Sequence, residues 1–460
     1  MTITDSRSST SPLALLTGKV SARAIRLFKA GMGSNLPGRL ARQLSPNILM
    51  ELSSQTRLGA VAVTGTNGKS TTSGILSSIL RMAGYKLIHN KQGANLVTGI
   101  TASLIEAADW KGRIDADYGL FEIDEAALPV VAHEIKLKAV LVTNLFRDQL
   151  DRFGELDTTA RLIAKGITEN NSKAILNADD PNVSQLVSQK DRLFYGIELG
   201  KDAEPSEKQL AELSYCSECG SEIAYRSVTY GQLGNWYCPQ CGHKRPPLDI
   251  YASEINLFPS SSTFVLHKEL LWLPVELRLP GLFNIYNAVA AAAAASMLGV
   301  SLETIKDGIK DYSTLFGRSE LISLSGKKVL IQLIKNPAGA TQTIRAVTQA
   351  KDVNIVIAIN DNLADGRDIS WLWDAEFEPL GTIKGNFVVS GQRAEDMALR
   401  LKYAGVEPTR ITCIPSLETA LKSALNSTSA DSMLWVLPTY TCLLELQKLL
   451  KRFGVSLSGT

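Results

Sequence analysis

A stretch near the start of the chain, LGAVAVTGTNGKST at residues 58–71, joins an apolar run to a glycine-containing turn. The apolar run over 58–64 predicts a buried strand, and the pattern after the turn predicts a helix over about 69–82. Strand, glycine turn and helix in this order open an α/β nucleotide-binding domain. Further apolar runs at 118–123, 139–143 and 174–176 are typical of the buried strands of a parallel sheet.

The turn GTNGKST has the residue types of a phosphate-binding loop. Glycines let backbone N–H groups approach phosphate oxygens, and the N-terminus of the following helix favours negative charge. Lys69 supplies a charge for the β- and γ-phosphates, and Ser70 a hydroxyl for Mg²⁺. The alternative is an ordinary turn between strand and helix, and a Lys-Ser pair in this context argues against it. The residues predicted to bind ATP here are Gly65, Thr66, Asn67, Gly68, Lys69, Ser70 and Thr71.

An acidic segment, FEIDE at 121–125, closes the predicted strand 119–123. A carboxylate at the C-terminal end of a neighbouring strand is where a Mg²⁺ ligand should lie. Glu122 is therefore predicted to bind Mg²⁺ together with Ser70 and to be catalytic, as is Lys69. Asp124 and Glu125 follow, so chemistry alone leaves open which acid holds the metal. The acids could also simply start the next helix, whose N-terminus favours negative charge.

Composition excludes several classes of function. The chain has 460 residues, which suggests about three domains, and a formal charge of only +2. A net charge this close to zero argues against nucleic acid as the main partner. There are 4 histidines and neither an HExxH nor a GxSxG motif, so hydrolysis by a histidine of this chain is not expected.

The chain is expected to be soluble and cytoplasmic. We find no signal peptide, the polar start over 1–11 is predicted to be disordered, and the most apolar helical run, 288–300, is too short to span a bilayer. Residues 13–55 are predicted to be helical, with basic residues spaced through them. Either these form a solvated face, or they form a surface that meets anionic lipid or an anionic substrate.

Four of the six cysteines form two CxxC pairs separated by 18 residues. Each pair places two thiolates on one ion, and four soft thiolate ligands favour Zn²⁺ in a closed structural site. Cys413 and Cys442 stand alone in apolar settings and are predicted to be buried and inert. The predicted zinc ligands are Cys216, Cys219, Cys238 and Cys241.

The chain is predicted to have two α/β domains. An N-terminal arm covers 1–55, a central ATP-binding domain covers 56–318 with a zinc-ribbon insert at 205–248, and a second Rossmann-like α/β domain covers 319–460. In this last domain Asp361, Asp365 and Asp368 share one loop after the predicted strand 353–359. The density of acids there favours a function over a plain Asp-Gly turn.

Beyond the phosphate loop, four further motifs resemble those of the Mur ligase family, in the family's order. They are Thr143-Asn144 with RDQLDRFG at 147–154, NADD at 177–180, GLFNIYN at 281–287 and Gly317-Arg318. The resemblance implies a Mur ligase-like α/β fold and peptidoglycan synthesis. It also implies that the nucleotide is contacted by Asn144, Asp180, Asn287 and Arg318.

The sequence departs from this family at informative positions. Gln149 and Phe283 stand where the family usually has histidines, and Lys165 is out of register with the family's carbamylated lysine. Only 64 residues precede Gly65, so the domain that holds UDP-linked substrates is expected to be missing.

These departures, with the four-cysteine insert, resemble the MurT branch of the family. The likeness extends to the segments 89–95, 121–125, 144–149, 335–339 and 360–371. It implies a carbon–nitrogen ligase that uses ATP to amidate the α-carboxyl of D-glutamate in lipid II, through an acyl phosphate that Arg318 and Lys335 are candidates to hold. It also implies a GatD-like glutamine amidotransferase partner that supplies ammonia, and whose Cys-His-Asp triad Asp368 completes. The implied place of action is the inner face of the membrane.

Two alternatives remain open at the level of sequence. One is a Mur-type ligase that adds an amino acid, against which the missing UDP-binding domain argues. The other is a zinc-ribbon protein that binds nucleic acid and uses ATP as a switch, against which the near-neutral charge argues.

Overall fold

The computed structural model describes most of the chain. The polar start, the segment 147–154 with Gln149 and the beginning of the predicted insert lie outside the described residues. The described ranges are 11–27, 35–90, 94–146, 156–188, 191–199, 215–258, 260–312, 317–348, 353–429 and 432–455.

The described residues form helices along the whole chain. In chain order they are α1 Pro12–Leu27, α2 Leu36–Leu44, α3 Ile48–Ser53, α4 Lys69–Met82, α5 Val97–Ala107, α6 Leu128–Glu134, α7 Leu156–Asn170, α8 Pro181–Ser184, α9 Leu282–Met297, α10 Leu302–Asp311, α11 Pro337–Thr348, α12 Trp371–Asp374, α13 Ala394–Tyr403, α14 Leu417–Ser427 and α15 Tyr440–Arg452.

Strands alternate with these helices. They are β1 Gly59–Thr64, β2 Leu87–His89, β3 Tyr118–Glu122, β4 Leu137–Val142, β5 Lys173–Asn177, β6 Arg192–Ile197, β7 Ala224–Tyr230, β8 Leu233–Tyr237, β9 Ile250–Leu257, β10 Ser262–Lys268, β11 Leu271–Leu277, β12 Arg318–Leu324, β13 Lys327–Gln332, β14 Asn354–Ala358, β15 Phe387–Ser390, β16 Ile411–Cys413 and β17 Met433–Pro438.

The first large sheet has the strand order β11-β10-β9-β6-β5-β4-β1-β3-β2. All neighbours from β2 to β9 pair in parallel, and β9, β10 and β11 pair antiparallel. The parallel strands are apolar throughout because helices cover both faces of the sheet. Val61 and Val63 of β1 enter the core shared with α4, α9 and α10, whereas Ala60 and Ala62 enter the core shared with α1, α3 and α5.

The second large sheet has the order β12-β13-β17-β14-β15-β16. Its pairs are parallel except for β12, which joins β13 antiparallel at one edge. The parallel-rich fold and the second α/β unit are therefore as predicted. β12 begins at Arg318, next to the predicted domain boundary between residues 318 and 319, which stays a prediction.

Helices α1 to α3 pack against the first sheet's domain through Ala14, Leu15, Ala41 and Leu49. Two hydrogen bonds, 2.6 and 2.7 Å long, also join the Arg42 guanidinium to the Glu134 carboxylate. Within the described part of the chain, no helix combines the length and the apolar character that crossing a membrane requires.

Candidate nucleotide site and cysteine cluster

The phosphate loop connects β1 to α4 at the carboxyl edge of the first sheet. Gly68 has a φ of 86°, a left-handed conformation that suits glycine. A Cβ at this position would lie 2.1 Å from Oδ1 of Asn287. The loop is therefore pressed against α9, and only glycine allows that approach.

Asn144 holds the loop from the end of β4. Its Oδ1 accepts a 2.9 Å hydrogen bond from the backbone N–H of Asn67, and its Nδ2 donates to the carbonyl of Asn67 at 3.1 Å. The backbone carbonyl of Asn144 accepts from the N–H of Thr66 at 2.8 Å. In this geometry the side chain of Asn144 supports the shape of the loop.

Lys69 is partly buried, with its side chain 13% exposed, and it is paired. Its Nζ lies 2.7 Å from Oε1 of Glu125, and it also donates to the carbonyl of Gly65. Burial lowers the pKa of Lys69, but the nearby charges of Glu125 and Glu122 more than offset this, so the pKa is raised. The ammonium is therefore charged at neutral pH, as contact with phosphates requires.

Glu122 is the last residue of β3 and is 7% exposed. Its backbone bonds to the side chain of Asn90, while its carboxylate accepts no hydrogen bond from any residue in the described ranges. Ser70, on the first turn of α4, is 2% exposed. Because Glu125 is paired with Lys69, Glu122 and Asp124 remain of the three acids that the sequence offered as Mg²⁺ ligands, and the assignment of Mg²⁺ to Glu122 stays a prediction.

Asn287 lies on α9 beside the loop. Its Oδ1 accepts from the hydroxyl of Thr72 at 3.2 Å, and its Nδ2 donates to Oδ1 of Asn284 at 3.2 Å. Asn284 in turn donates to the hydroxyl of Ser319, at the start of the second sheet. Arg318, the neighbouring predicted nucleotide ligand, has a described backbone only, so its role stays a prediction.

Asp180 lies at the N-terminus of α8 and is fully buried. Its carboxylate accepts from the N–H of Leu145 at 2.8 Å and from that of Asn182 at 3.0 Å. These bonds fix the segment after β4 and cap a helix. They give Asp180 a structural part next to the loop, and its contact with the nucleotide stays a prediction.

A cleft opens between the loop and the second sheet's domain. Nδ2 of Asn336 donates to Oδ1 of Asn67 across it at 3.0 Å, joining the two domains. The pairing of Glu125 with Lys69 was not predicted from the sequence, nor was the place of Asn336, Phe146 and Tyr230 in the cleft. The cleft is lined by Asn67, Gly68, Thr71, Phe146, Tyr230, Phe283, Asn284, Asn287, Ser319, Gln332, Leu333, Lys335, Asn336, Ala338, Gly339, Gln342 and Thr343.

The four CxxC cysteines converge on one point. All four sulfurs lie within 4.8 Å of one another, with Cys216 and Cys241 at 3.6 Å and Cys219 and Cys238 at 3.5 Å. A tetrahedron with metal–sulfur distances of about 2.3 Å places its sulfurs about 3.8 Å apart. The cluster therefore fits zinc.

Cys238→Ser should remove zinc from the purified full-length protein, because three thiolates bind the ion far more weakly than four. Metal analysis by mass spectrometry is expected to show a near-complete loss of zinc and a lower melting temperature. Cys413→Ser is the matched control and should keep its zinc, since Cys413 lies in the second domain. Retention of zinc by Cys238→Ser would exclude this ligand set.

The two lone cysteines differ from each other. Cys442 is buried, and burial raises the pKa of its thiol to about 12, as expected of an inert group. Cys413 is exposed, so the prediction that it is buried is wrong. It lies on the short edge strand β16, where one side of the strand lacks a neighbour to cover it.

The three aspartates of the loop after β14 make different contacts. Asp365 is buried and accepts from the N–H and the hydroxyl of Thr441 at 2.7 and 2.5 Å. Asp361 pairs with Arg393 at 2.6 Å. Asp368 is exposed, and its carboxylate accepts from the N–H of Ser370, which lowers its pKa. Asp368 is therefore an ionised carboxylate facing solvent.

This combination of a phosphate loop, two α/β domains and an interdomain cleft defines a class of ATP-using ligase. Residues 63–231 match the Mur ligase middle domain. The pseudomurein peptide ligase type C of Methanothermus fervidus has the same fold, with a TM-score of 0.67 at 22% identity over 87% of this chain and 80% of that one. The Mur ligase family uses ATP and Mg²⁺.

The similarity narrows to one branch of that class. Residues 333–443 match the MurT ligase C-terminal family. The lipid II isoglutaminyl synthase (glutamine-hydrolyzing) subunit MurT of Staphylococcus aureus strain COL is 37% identical over 82% of this chain and 84% of its own. The subunit of the same name from Streptococcus pneumoniae strain R6 is 34% identical over 95% and 96%. The chain belongs to the MurT family.

Proposed function

We propose that the chain is the synthetase subunit of a lipid II isoglutaminyl synthase. It would use ATP to convert the α-carboxyl of D-glutamate in the lipid II stem peptide to the amide of D-isoglutamine. Support comes from the names of the MurT relatives, whose sequences align with 82% and 95% of this chain. The observation that carries the proposal is a phosphate loop beside the interdomain cleft, which Asn67, Gly68 and Thr71 line, with the charged Lys69 held by Glu125 in the same loop.

The chemistry follows from the residues that line this site. Lys69 and the loop amides hold the γ-phosphate while a carboxylate oxygen of the substrate attacks phosphorus, and the bond to the leaving ADP breaks. The product is an acyl phosphate. The lone pair of ammonia then attacks the acyl carbon, phosphate leaves with the carbon–oxygen electrons, and the nitrogen loses a proton. Lys335, which lines the cleft, is positioned to hold the acyl phosphate, and we assign Arg318 the same task.

We assign Mg²⁺ to Ser70 and Glu122, whose carboxylate is buried and accepts no hydrogen bond from the described residues. Bound there, the ion would neutralise charge on the phosphates. Zinc would have a structural part, because four cysteines leave no open ligand position for water or substrate.

Glu122→Gln should raise the Mg²⁺ concentration for half-maximal activity by about tenfold, because an amide binds Mg²⁺ less well than a carboxylate. Phosphate release titrated with Mg²⁺ is the measurement. Asp124→Asn is the matched control and should leave the titration unchanged, since Oδ1 of Asp124 caps the N–H of Ala126. The reverse pattern would assign the metal to Asp124.

A second subunit would supply the ammonia, which is scarce in free form at neutral pH. We propose a GatD-like glutamine amidotransferase, in line with the word "subunit" in the relatives' names. The exposed Asp368 would complete its Cys-His-Asp triad, because a carboxylate fixes the tautomer and orientation of an imidazole. The lipid-linked substrate places the complex in the cytoplasm, at the inner face of the membrane, and nucleic acid is no partner in this scheme.

The direct test is to purify the chain with a candidate amidotransferase and to supply lipid II, ATP, Mg²⁺ and glutamine. Mass spectrometry should show the exchange of one hydroxyl for one amino group on the D-glutamate. Phosphate release should depend on ammonia or glutamine and should not increase with other amino acids. Release driven by an amino acid instead would favour an amino-acid-adding ligase and contradict the proposal.

A further inference from the structure

The hairpin of β7 and β8 connects the cysteine cluster to the nucleotide cleft. Cys238 follows directly after β8, so the cluster lies at one end of the hairpin. The turn at the other end, between Tyr230 and Leu233, reaches the cleft, where Tyr230 forms part of the wall. The ribbon is therefore built into the nucleotide site, whereas its sequence suggests a separate insert.

The tip of the hairpin is attached to the phosphate loop through Phe146. The ring of Tyr230 stacks on that of Phe146, with centroids 5.6 Å apart and planes inclined by 19°. Phe146 donates its N–H to the hydroxyl of Thr66 at 3.1 Å, and this hydroxyl donates to the carbonyl of Phe146 at 3.1 Å. Nε2 of Gln232 also donates to the carbonyl of Leu145 at 2.8 Å. A displaced tip would thus disturb the loop itself.

The middle of the hairpin is fixed to the same domain. Trp236 is fully buried, and its Nε1 donates to the carbonyl of Ala178 at 2.9 Å. Asp179 accepts from Arg245 at 2.9 Å and from the hydroxyl of Tyr286 at 2.6 Å, and Tyr286 also bonds to Thr229 on β7. These buried bonds fix the orientation of the ribbon relative to the domain, provided that the ribbon itself is folded.

A metal bound to the four cysteines would stabilise the fold of the ribbon. Its own apolar core consists of Cys216, Ile223, Trp236 and Cys238, with Tyr225 packed against them. A core of this size is far below what a chain needs to fold without a metal or a disulfide. Zinc bound to four thiolates supplies that missing stability in small modules.

We propose that Tyr230 of the zinc ribbon is a nucleotide-binding residue that offers an aromatic surface to the base, and that zinc binding and nucleotide binding are therefore coupled. The inference rests on the proposed function, because it takes the cleft to be the ATP site. The planar base is the part of ATP that suits the aromatic side chains among those that line the cleft, Phe146, Tyr230 and Phe283. In this proposal zinc acts indirectly: it holds Tyr230 in position and lies away from the phosphates.

Coupling of this kind is reciprocal: if zinc raises the affinity for nucleotide, nucleotide must raise the affinity for zinc by the same factor. Loss of one stacked aromatic contact to a base lowers affinity by about fivefold to a hundredfold. Tyr230→Ala should therefore weaken ADP binding by about tenfold. Tyr230→Phe keeps the ring and should stay close to the wild type.

The test measures the dissociation constant of ADP for the full chain by calorimetry, with zinc content determined in parallel. The matched control is Tyr215→Ala, which removes the same side chain from the same ribbon at a position that is 60% exposed. We expect weaker binding for Tyr230→Ala with its zinc retained, and also for wild-type protein stripped of zinc. Equal affinity of Tyr230→Ala and Tyr215→Ala would overturn the inference.

A second measurement guards against unfolding of the zinc-free protein. The rate at which a coloured chelator removes zinc is followed with and without saturating ADP. ADP should slow the release severalfold in the wild type and have little effect in Tyr230→Ala, and equal release rates with and without ADP would contradict the coupling. If the zinc-loaded wild type binds ADP but Tyr230→Ala binds it equally well, the inference alone fails. If the wild type binds no nucleotide, the proposed function fails as well.

Discussion

Lys69→Ala is expected to abolish ATP turnover. The lysine is the charged group at the head of α4, and its ammonium lies among loop carbonyls at the point where phosphates would bind. Removing one preorganised charge from a transition state of this kind lowers the rate by about a hundredfold to a thousandfold. Phosphate release by the complex, with ammonia as the nitrogen source, is the measurement.

The same substitution also leaves Glu125 buried without its cation, since the carboxylate is 2.7 Å from Nζ in the intact protein. A loss of activity could therefore reflect a damaged loop. Lys69→Met/Glu125→Gln retains similar side-chain volumes without the buried charge, and it should fold normally while remaining inactive. Lys165→Ala, an exposed lysine of the same domain, should be fully active. Substantial amidation by the Lys69 variants would refute the assignment.

The elements around the phosphate loop were predictable because their signals are local. The helix predicted over about 69–82 coincides with α4, and Gly68 immediately precedes it. The cysteine cluster was predictable for a related reason, because CxxC spacing itself carries the geometry of the ligands.

Contacts between distant segments were not predictable in the same way. Tyr230 and Phe146 lie 84 positions apart by their numbers, and no periodicity relates an aromatic in a polar insert to the end of a buried strand. Glu125 was one of three neighbouring acids, and only its distance to Lys69 distinguishes it. Asp180 illustrates a different difficulty. A carboxylate next to a loop looks the same in sequence whether it binds a ligand or caps a helix.

The antiparallel edges of both sheets were likewise not predicted. The continuous apolar runs indicated parallel strands, and those formed as expected. β10 and β11 instead alternate buried and more exposed residues, because one of their faces packs into the core that contains α9 and α10 and the other face is more exposed. β12 is joined to its neighbour β13 by a tight turn at Ser325 and Gly326, which both have positive φ. A search for the pattern of buried strands does not detect such a turn.

Asp368→Asn is expected to stop amidation driven by glutamine and to leave amidation driven by ammonia. The carboxylate is exposed on the loop after β14, and the N–H of Ser370 keeps its pKa low, so it is ionised at neutral pH. An amide of the same shape no longer stabilises a charged imidazole, and a comparable change in a triad lowers the rate by up to about ten-thousandfold. We expect a loss of at least about a hundredfold in glutaminase activity of the complex.

Two variants separate this role from a structural one. Asp374→Asn changes another exposed acid a few residues away and should leave both activities intact. Asp365→Asn replaces one of the two carboxylate oxygens that accept from Thr441 and hold the loop, and it should lower both activities together with the melting temperature. Because Asp368 is not among the residues that line the cleft, its substitution should not alter ADP affinity. Loss of ammonia-driven amidation in Asp368→Asn would place this residue in the synthetase reaction and remove it from the partner's triad.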